Sequence, residues 1–287
     1  MSLLSTGWRR RGQQLSSARA RVRAIPAPRP AEPASVLITG GSSGIGAATA
    51  RAFAAHGARV AISGRDCAAL RRVAGDSGGV VIPGDLREPG CPRRVVRDAA
   101  QALGSLDVVV SNAGGGWSGS FAKMTEEDID SLLDVNLRAT AHVAHAALEY
   151  LRPGGGRLIF VGSIAGQVGV SGEAWYSATK AGLGMLADVL RAELRAEGIG
   201  VTLVLPGAVD TPFFERRNLP YLREFPRLIS PQLVADAIVT AAVSDRSRDT
   251  VVIPGWLSWP ARLKGSFPGL YRLLERRLDA GNGWRAA

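Results

Sequence analysis

The strongest constraint on this chain is a rhythm of short apolar runs separated by helix-length segments. The runs are "SVLIT" (35–39), "ARVAISG" (58–64), "GVVIPGD" (79–85), "DVVVSNAG" (107–114), "GRLIFVGS" (156–163) and "VTLVLPG" (201–207). Each is strand-sized, rich in β-branched residues and apolar on both sides of the pleat, as a strand buried on both faces must be. Between the first two lies the alanine-rich "AATARAFAAHG", which reads as a helix stopped by Gly57, and "DCAALRRVAG" reads as the next helix. Strands that alternate with helices predict an α/β fold: a single doubly wound parallel sheet with right-handed crossovers and helices on both faces. No internal repeat or linker divides residues 35–255.

Charge narrows the partners. The net charge is +10, from 35 basic and 25 acidic residues. Residues 1–34 contribute +6 and residues 251–287 contribute +4, so the stretch between them is neutral. A nucleic-acid binder would carry a basic stripe on its folded body, so no nucleic-acid partner is expected. The N-terminal segment alternates Arg with small residues and ends in "AIPAPRPAEP", a composition that predicts a disordered or loosely held arm. Being rich in Arg and nearly free of acid, it reads either as a transit-like segment or as a plain solvated tail. Cys67 and Cys91 lack metal spacing and a disulfide framework, which fits a reduced, cytoplasmic setting with no metal. His56, His142 and His145 are scattered and read as ordinary structural or surface residues. No apolar run is long enough to span a bilayer as a helix.

In a doubly wound sheet, ligands bind at the carboxyl ends of the strands. The first end reads "TGGSSGIG", with Gly40, Ser42, Ser43, Gly44, Ile45 and Gly46 between a strand and a helix. Missing side chains let the turn close and let backbone N–H groups at a helix N-terminus approach a pyrophosphate. The second end reads "ISGRD". An NAD-preferring site usually places a carboxylate at the strand tip, whereas here Gly64 is followed by Arg65. A guanidinium suits a 2′-phosphate, so NADP(H) is expected over NAD(H). Asp66 lies beyond the expected tip.

The stretch "YSATK" adds a catalytic pair. Only Lys123, Lys180 and Lys264 among the 35 basic residues are lysines, and Lys180 stands four residues after Tyr176, on the same helical face. A phenol with an ordinary pKa near 10 is a poor proton carrier at neutral pH, and a neighbouring ammonium would lower that pKa. A drop of two to three units requires about 3–4 kcal/mol of differential stabilisation.

In order along the chain, "TGGSSGIG", "GDL" (Asp85, Leu86), "NAG" (Asn112, Ala113, Gly114), "VNL" (Asn136), "VGS" (Ser163), "YSATK" and "PGAVDT" (Pro206 to Thr211) resemble the motifs of the short-chain dehydrogenase/reductase family. Ser163 lies 13 residues before Tyr176 and Asn136 lies 27 before Ser163, spacings that fit the family's Asn–Ser–Tyr–Lys tetrad. The resemblance covers roughly Ser35 to Pro254 and implies a Rossmann-type fold and an alcohol/carbonyl oxidoreductase. It implies that Tyr176 exchanges a proton with the substrate oxygen and that Ser163 hydrogen-bonds that oxygen. Lys180 would tune the tyrosine and hold the nicotinamide ribose, and Asn136 would keep a relay water beside Lys180. Asp85 would meet the adenine amino group with Leu86 beside it, and Asn112, Ala113 and Gly114 would line the adenosine ribose. Pro206, Gly207, Val209 and Thr211 would border the nicotinamide, with Val209 and Thr211 holding its carboxamide. Assembly as a homo-dimer or homo-tetramer is also implied.

Two segments depart from that pattern. Residues 212–231, "PFFERRNLPYLREFPRLISP", carry Phe213, Phe214, Tyr221 and Phe225 and read either as a lid over a hydrophobic (lipid, steroid or acyl type) alcohol or ketone, or over an acyl chain bearing a negative head group, or as a self-anchored loop. Residues 256–287 form a basic extension in which Leu270, Leu273, Leu274 and Leu278 fall near one helical face. That face can rest on anionic lipid, or pack on its own domain, on a partner subunit or over the pocket. Two rival readings of the small-molecule site are an epimerase or dehydratase on the same fold and a non-catalytic dinucleotide sensor.

Overall fold

The computed structural model describes residues 35–151, 155–217, 220–221, 226–244 and 249–281, with side chains as far as Leu274. The expected arm, residues 1–34, lies outside the described residues, as do Phe225 and the side chain of Leu278.

The six apolar runs and a seventh near the C-terminus are the strands of one sheet. They are β1 (Ser35–Thr39), β2 (Arg59–Gly64), β3 (Val80–Pro83), β4 (Val108–Ser111), β5 (Arg157–Val161), β6 (Gly200–Pro206) and β7 (Thr250–Ile253). All pairings are parallel and the order is β3-β2-β1-β4-β5-β6-β7. Strand order therefore reverses between β1 and β4, where Leu37 pairs with Ala61 on one side and Val109 on the other. Such a reversal opens a crevice above the carboxyl ends of those two strands.

Period-two alternation sends strand side chains into two separate cores. Leu37, Val109, Leu158, Phe160, Leu203 and Leu205 face one way and meet α3 (Cys91–Leu103), α5 (Ala139–Ala147) and α7 (Ala174–Glu193). Val36, Ile38, Val108, Val110, Ile159 and Val204 face the other way and meet α1 (Gly44–Ala55), α2 (Cys67–Ser77) and α9 (Pro231–Val243). Each fully buried Leu, Ile or Phe contributes about 1.5–3 kcal/mol, so the two cores fix the register that aligns the strand ends. At the opposite edge, the Asp107 carboxylate accepts from the Ser35 backbone N–H at 2.9 Å and its hydroxyl at 2.8 Å, locking β1 to β4.

Five further helices lie among the described residues: α4 (Glu126–Leu133), α6 (Ala165–Val168), α8 (Phe213–Arg216), α10 (Ser258–Ser266) and α11 (Pro268–Gly281). α4 begins with a reciprocal capping box between Thr125 and Asp128. It runs into a π turn, Asp134–Arg138, that leads to α5. Among the described residues, no helix is long and apolar enough to cross a membrane.

Candidate active site

The glycine turn closes because its backbone passes over itself. Gly40 and Gly44 have φ of +67° and +54°, in the left-handed region that disfavours side chains. A Cβ on Gly46 would lie 2.2 Å from the Gly40 carbonyl oxygen, so only glycine fits there. The "NAG" segment after β4 braces this turn. The backbone N–H groups of Asn112 and Ala113 donate to Thr39 Oγ1 at 3.0 and 3.1 Å. Asn112 Nδ2 donates to the carbonyls of Thr39 and Gly40 at 3.0 and 3.3 Å. Asn112 thus holds the turn rather than projecting freely into the crevice. Ser43 occupies the N-cap of α1 without capping it through its hydroxyl, which leaves a glycine-lined helix N-terminus suited to a phosphate.

The tips of β2 and β3 carry two guanidinium groups. Arg65 is 67% exposed and its Nη1 lies 3.9 Å from Asp85 Oδ2. Asp66 caps α2, accepting from the Ala69 N–H at 2.9 Å, so it is bound to its own helix. Arg87 clasps Asp85, donating from Nη2 at 2.6 Å and from Nε at 3.1 Å. Its hydrogen bond to Arg87 holds the Asp85 carboxyl below its ordinary range. The carboxylate expected to meet adenine is therefore already committed to an arginine on its own loop. Leu86 is buried beside it.

The tetrad residues converge at the foot of the crevice. Asn136 sits in the π turn and is fully buried. Its Oδ1 accepts from the Gly115 N–H at 2.9 Å, while Nδ2 donates to the Gly115 carbonyl and to Thr179 Oγ1, each at 3.1 Å. The π turn re-aims one side chain inward, and that side chain ties the "NAG" loop to α7. Its amide is thus engaged with Gly115 and Thr179, with Asn136 Oδ1 and Lys180 Nζ both beside Gly114. Ser163 follows β5 close enough to the Tyr176 phenol to favour its charged form, while its Oγ accepts from the Ala165 N–H at 3.2 Å.

Tyr176 and Lys180 are both buried on α7, at 8% and 6% exposure. The expected lowering of the phenol by the ammonium does not occur in this geometry. Lys180 Nζ donates to the Val161 carbonyl at 3.1 Å and lies 5.9 Å from the Tyr176 ring centroid. Burial pushes the phenol up to about 12, against a smaller downward pull from Ser163. Burial also pushes Lys180 down to about 8. Desolvation wins because both groups sit where water cannot solvate their charged forms.

One cavity of about 940 Å³ joins the glycine turn to the tetrad and continues beyond it. Gly40, Ser42, Ser43, Gly44, Ile45, Arg65, Asp85, Leu86, Asn112, Ala113, Gly114, Ser163, Tyr176, Lys180, Pro206, Gly207, Val209 and Thr211 all border it. Gly46 and Asn136 support its wall from behind. Thr211 Oγ1 donates to the Val209 carbonyl at 3.3 Å, shaping the loop after β6. Past Tyr176, aromatic rings join the wall alongside Glu173 and Arg217. The Phe213 ring lies 5.8 Å from Tyr176 and 5.5 Å from Phe214, which meets Tyr221 in a tilted contact at 4.8 Å.

The family model for short chain dehydrogenases matches residues 34–221. The chain belongs to this family. It is 31% identical over 225 residues to a ketoacyl reductase, HetN, of Nostoc sp., covering 76% of this chain and 77% of that protein. A short chain dehydrogenase from Burkholderia cenocepacia, solved in complex with NADP, superposes with a TM-score of 0.71 at 32% identity, covering 78% of this chain and 98% of that one. A 3-ketoacyl-(acyl-carrier-protein) reductase from Brucella melitensis, complexed with NADH, gives a TM-score of 0.73 at 25% identity, covering 79% and 99%. As a short-chain dehydrogenase, the protein is an oxidoreductase that acts between CH–OH and C=O groups with a nicotinamide dinucleotide.

Several residues of this dehydrogenase site escape sequence reasoning. Arg217 makes a buried ion pair with Glu173 at 2.6 Å beside Tyr176, and its guanidinium lies 4.7 Å from the Phe214 ring. Arg216 Nη1 donates to Ser43 Oγ at 3.1 Å, linking α8 to the glycine turn. In a chain this rich in arginine, nothing in the pattern distinguishes these two. Pro260, Leu263, Tyr271 and Leu274 of the C-terminal helices also border the cavity, which places that extension over its own pocket.

Proposed function

We propose that the protein is an NADP(H)-dependent reductase of apolar ketones, working through Asn136, Ser163, Tyr176 and Lys180. The observation that carries this reading is one continuous cavity that runs from the glycine turn, past Ser163, Tyr176 and Lys180, to the rings of Phe213, Phe214 and Tyr221. When bound, the dinucleotide supplies or accepts a hydride at nicotinamide C4. Tyr176 Oη gives its proton to the substrate oxygen as the carbonyl carbon receives that hydride. A phenol held near 12 is protonated at neutral pH, which suits it to donate in the direction of ketone reduction. Ser163 donates a hydrogen bond to the same oxygen and fixes the carbonyl against Tyr176. Lys180, brought down to about 8, can return a proton towards the phenolate and hold the ribose hydroxyls. Asn136 keeps the Gly115 backbone and α7 in register, so the pair faces the cofactor crevice.

Preference for NADP(H) is supported by Arg65 and Arg87 at the strand tips and by Asp66, whose carboxylate serves as a helix cap. A 2′-phosphate would find two guanidinium groups and a serine hydroxyl from the glycine turn there. Preference for apolar substrates is supported by Phe213, Phe214, Tyr221, Val170 and Leu263 around the far end of the cavity. Steady-state reduction of a homologous series of ketones tests the substrate preference. kcat/KM is expected to rise with chain length, about tenfold for each two methylenes that enter the pocket. A preference for small polar sugars would overturn the substrate reading.

A further inference from the structure

Helices α10 and α11 are apolar on two sides. Towards the cavity they present Pro260, Leu263, Tyr271 and Leu274. Lys264 Nζ and Tyr271 Oη both donate to the Val168 carbonyl, at 2.8 and 3.4 Å, tying the helices over the substrate end. Towards solvent, Trp259 is 70% exposed and Phe267, at the junction of the two helices, is 63% exposed, and Leu270 and Leu273 are also exposed. A helix pair that only roofed a pocket would turn polar side chains outward. Exposed tryptophan, phenylalanine and leucine at this density mark a contact surface.

Charge selects the occupant. Residues 255–274 carry Arg262, Lys264 and Arg272 and no acidic residue, and residues 275–287 add three arginines against two acids. A second copy docked about a two-fold axis would pair this face with itself. Like cations would then approach with no carboxylate from residues 255–274 to answer them. An anionic lipid surface offers both an apolar phase for the rings and opposite charge for the basic side chains.

We propose that α10 and α11 dock the enzyme on anionic lipid and that apolar substrate passes between the lipid and the cavity beneath these helices. The docking stands on the exposed face itself, while the substrate route rests on the apolar-ketone reading above.

Flotation of the full chain with phosphatidylcholine vesicles, with and without phosphatidylglycerol, tests the docking. Binding is expected only to the anionic vesicles and should weaken as salt is raised. Trp259→Ser/Phe267→Ser/Leu270→Ser, and separately the surface variant Arg262→Glu/Arg272→Glu, should each lower the bound fraction on the order of tenfold. Both variants should still reduce a short, water-soluble ketone at the wild-type rate without vesicles. Failure of the full chain to float with anionic vesicles, or flotation unchanged in both variants, overturns the proposal. A dimer in sedimentation equilibrium that the triple variant splits, with no vesicle binding, makes this face an interface between copies instead. Flotation without turnover of any ketone would leave the docking standing and remove the redox reading alone.

Discussion

The cofactor end and the substrate end of the cavity are built by different physics. Around the glycine turn, contacts are backbone-directed and buried: Thr39, Asn112 and Asn136 each satisfy main-chain groups of a neighbouring loop. Around the far end, contacts are ring against ring, Phe213 on Tyr176 and Phe214 on Tyr221, roofed by helices whose outer side chains are exposed. The first kind of contact tolerates little change, because displacing one partner strands a buried polar group. The second kind can be repacked at modest cost. On the proposed reading, the reaction would be set at the rigid end and the substrate at the adaptable one.

Substitutions at the two ends can break that contrast. The largest effect is expected from Tyr176→Phe, which should lower kcat about a thousandfold while leaving NADPH affinity within about twofold. A fluorescence titration beside a ketone assay reads both quantities, and equal losses in each would blur the distinction between binding and chemistry. Lys180→Met should act on stability through pH. The buried ammonium titrates near 8 instead of its ordinary 10.5. Between those values the unfolded chain holds the extra proton, so stability rises with pH. The rise amounts to about 3 kcal/mol. Tyr176, held near 12 against 10.0, acts in the opposite sense from about pH 10 upward. Urea midpoints measured across this range should show the rise flattened in Lys180→Met, and an unchanged slope would mean Lys180 is solvated. The smallest effect belongs to the exposed strand tip, where Arg65→Glu should cut the ratio of NADPH to NADH affinity about tenfold. A ratio left unchanged would assign cofactor choice to Arg87 alone.

Legibility in the sequence follows the same divide. The strand runs, the glycine turn and the spacing of Asn136, Ser163, Tyr176 and Lys180 were readable because each depends on local pattern or fixed helical geometry. The Arg87–Asp85 clasp was not readable as a competitor for adenine, since a neighbouring arginine gives no sign of which way it folds. The π turn that aims Asn136 inward has no composition signature, and its commitment to Gly115 and Thr179 appears only when α7 packs beside it. The phenol's pKa was misjudged because helical spacing reports that Lys180 is near, whereas burial, a property of the packed fold, sets the sign. The C-terminal helices showed a leucine face, but the sequence left open what they cover.

Transfer of label from NADPH deuterated at nicotinamide C4 to a ketone tests the central claim most directly. One deuterium should appear on the carbinol carbon of the alcohol for each cofactor oxidised, and Tyr176→Phe should all but abolish it. Cofactor that binds yet returns unchanged, with no deuterium in any product, would contradict the account and point to transient oxidation or to sensing instead.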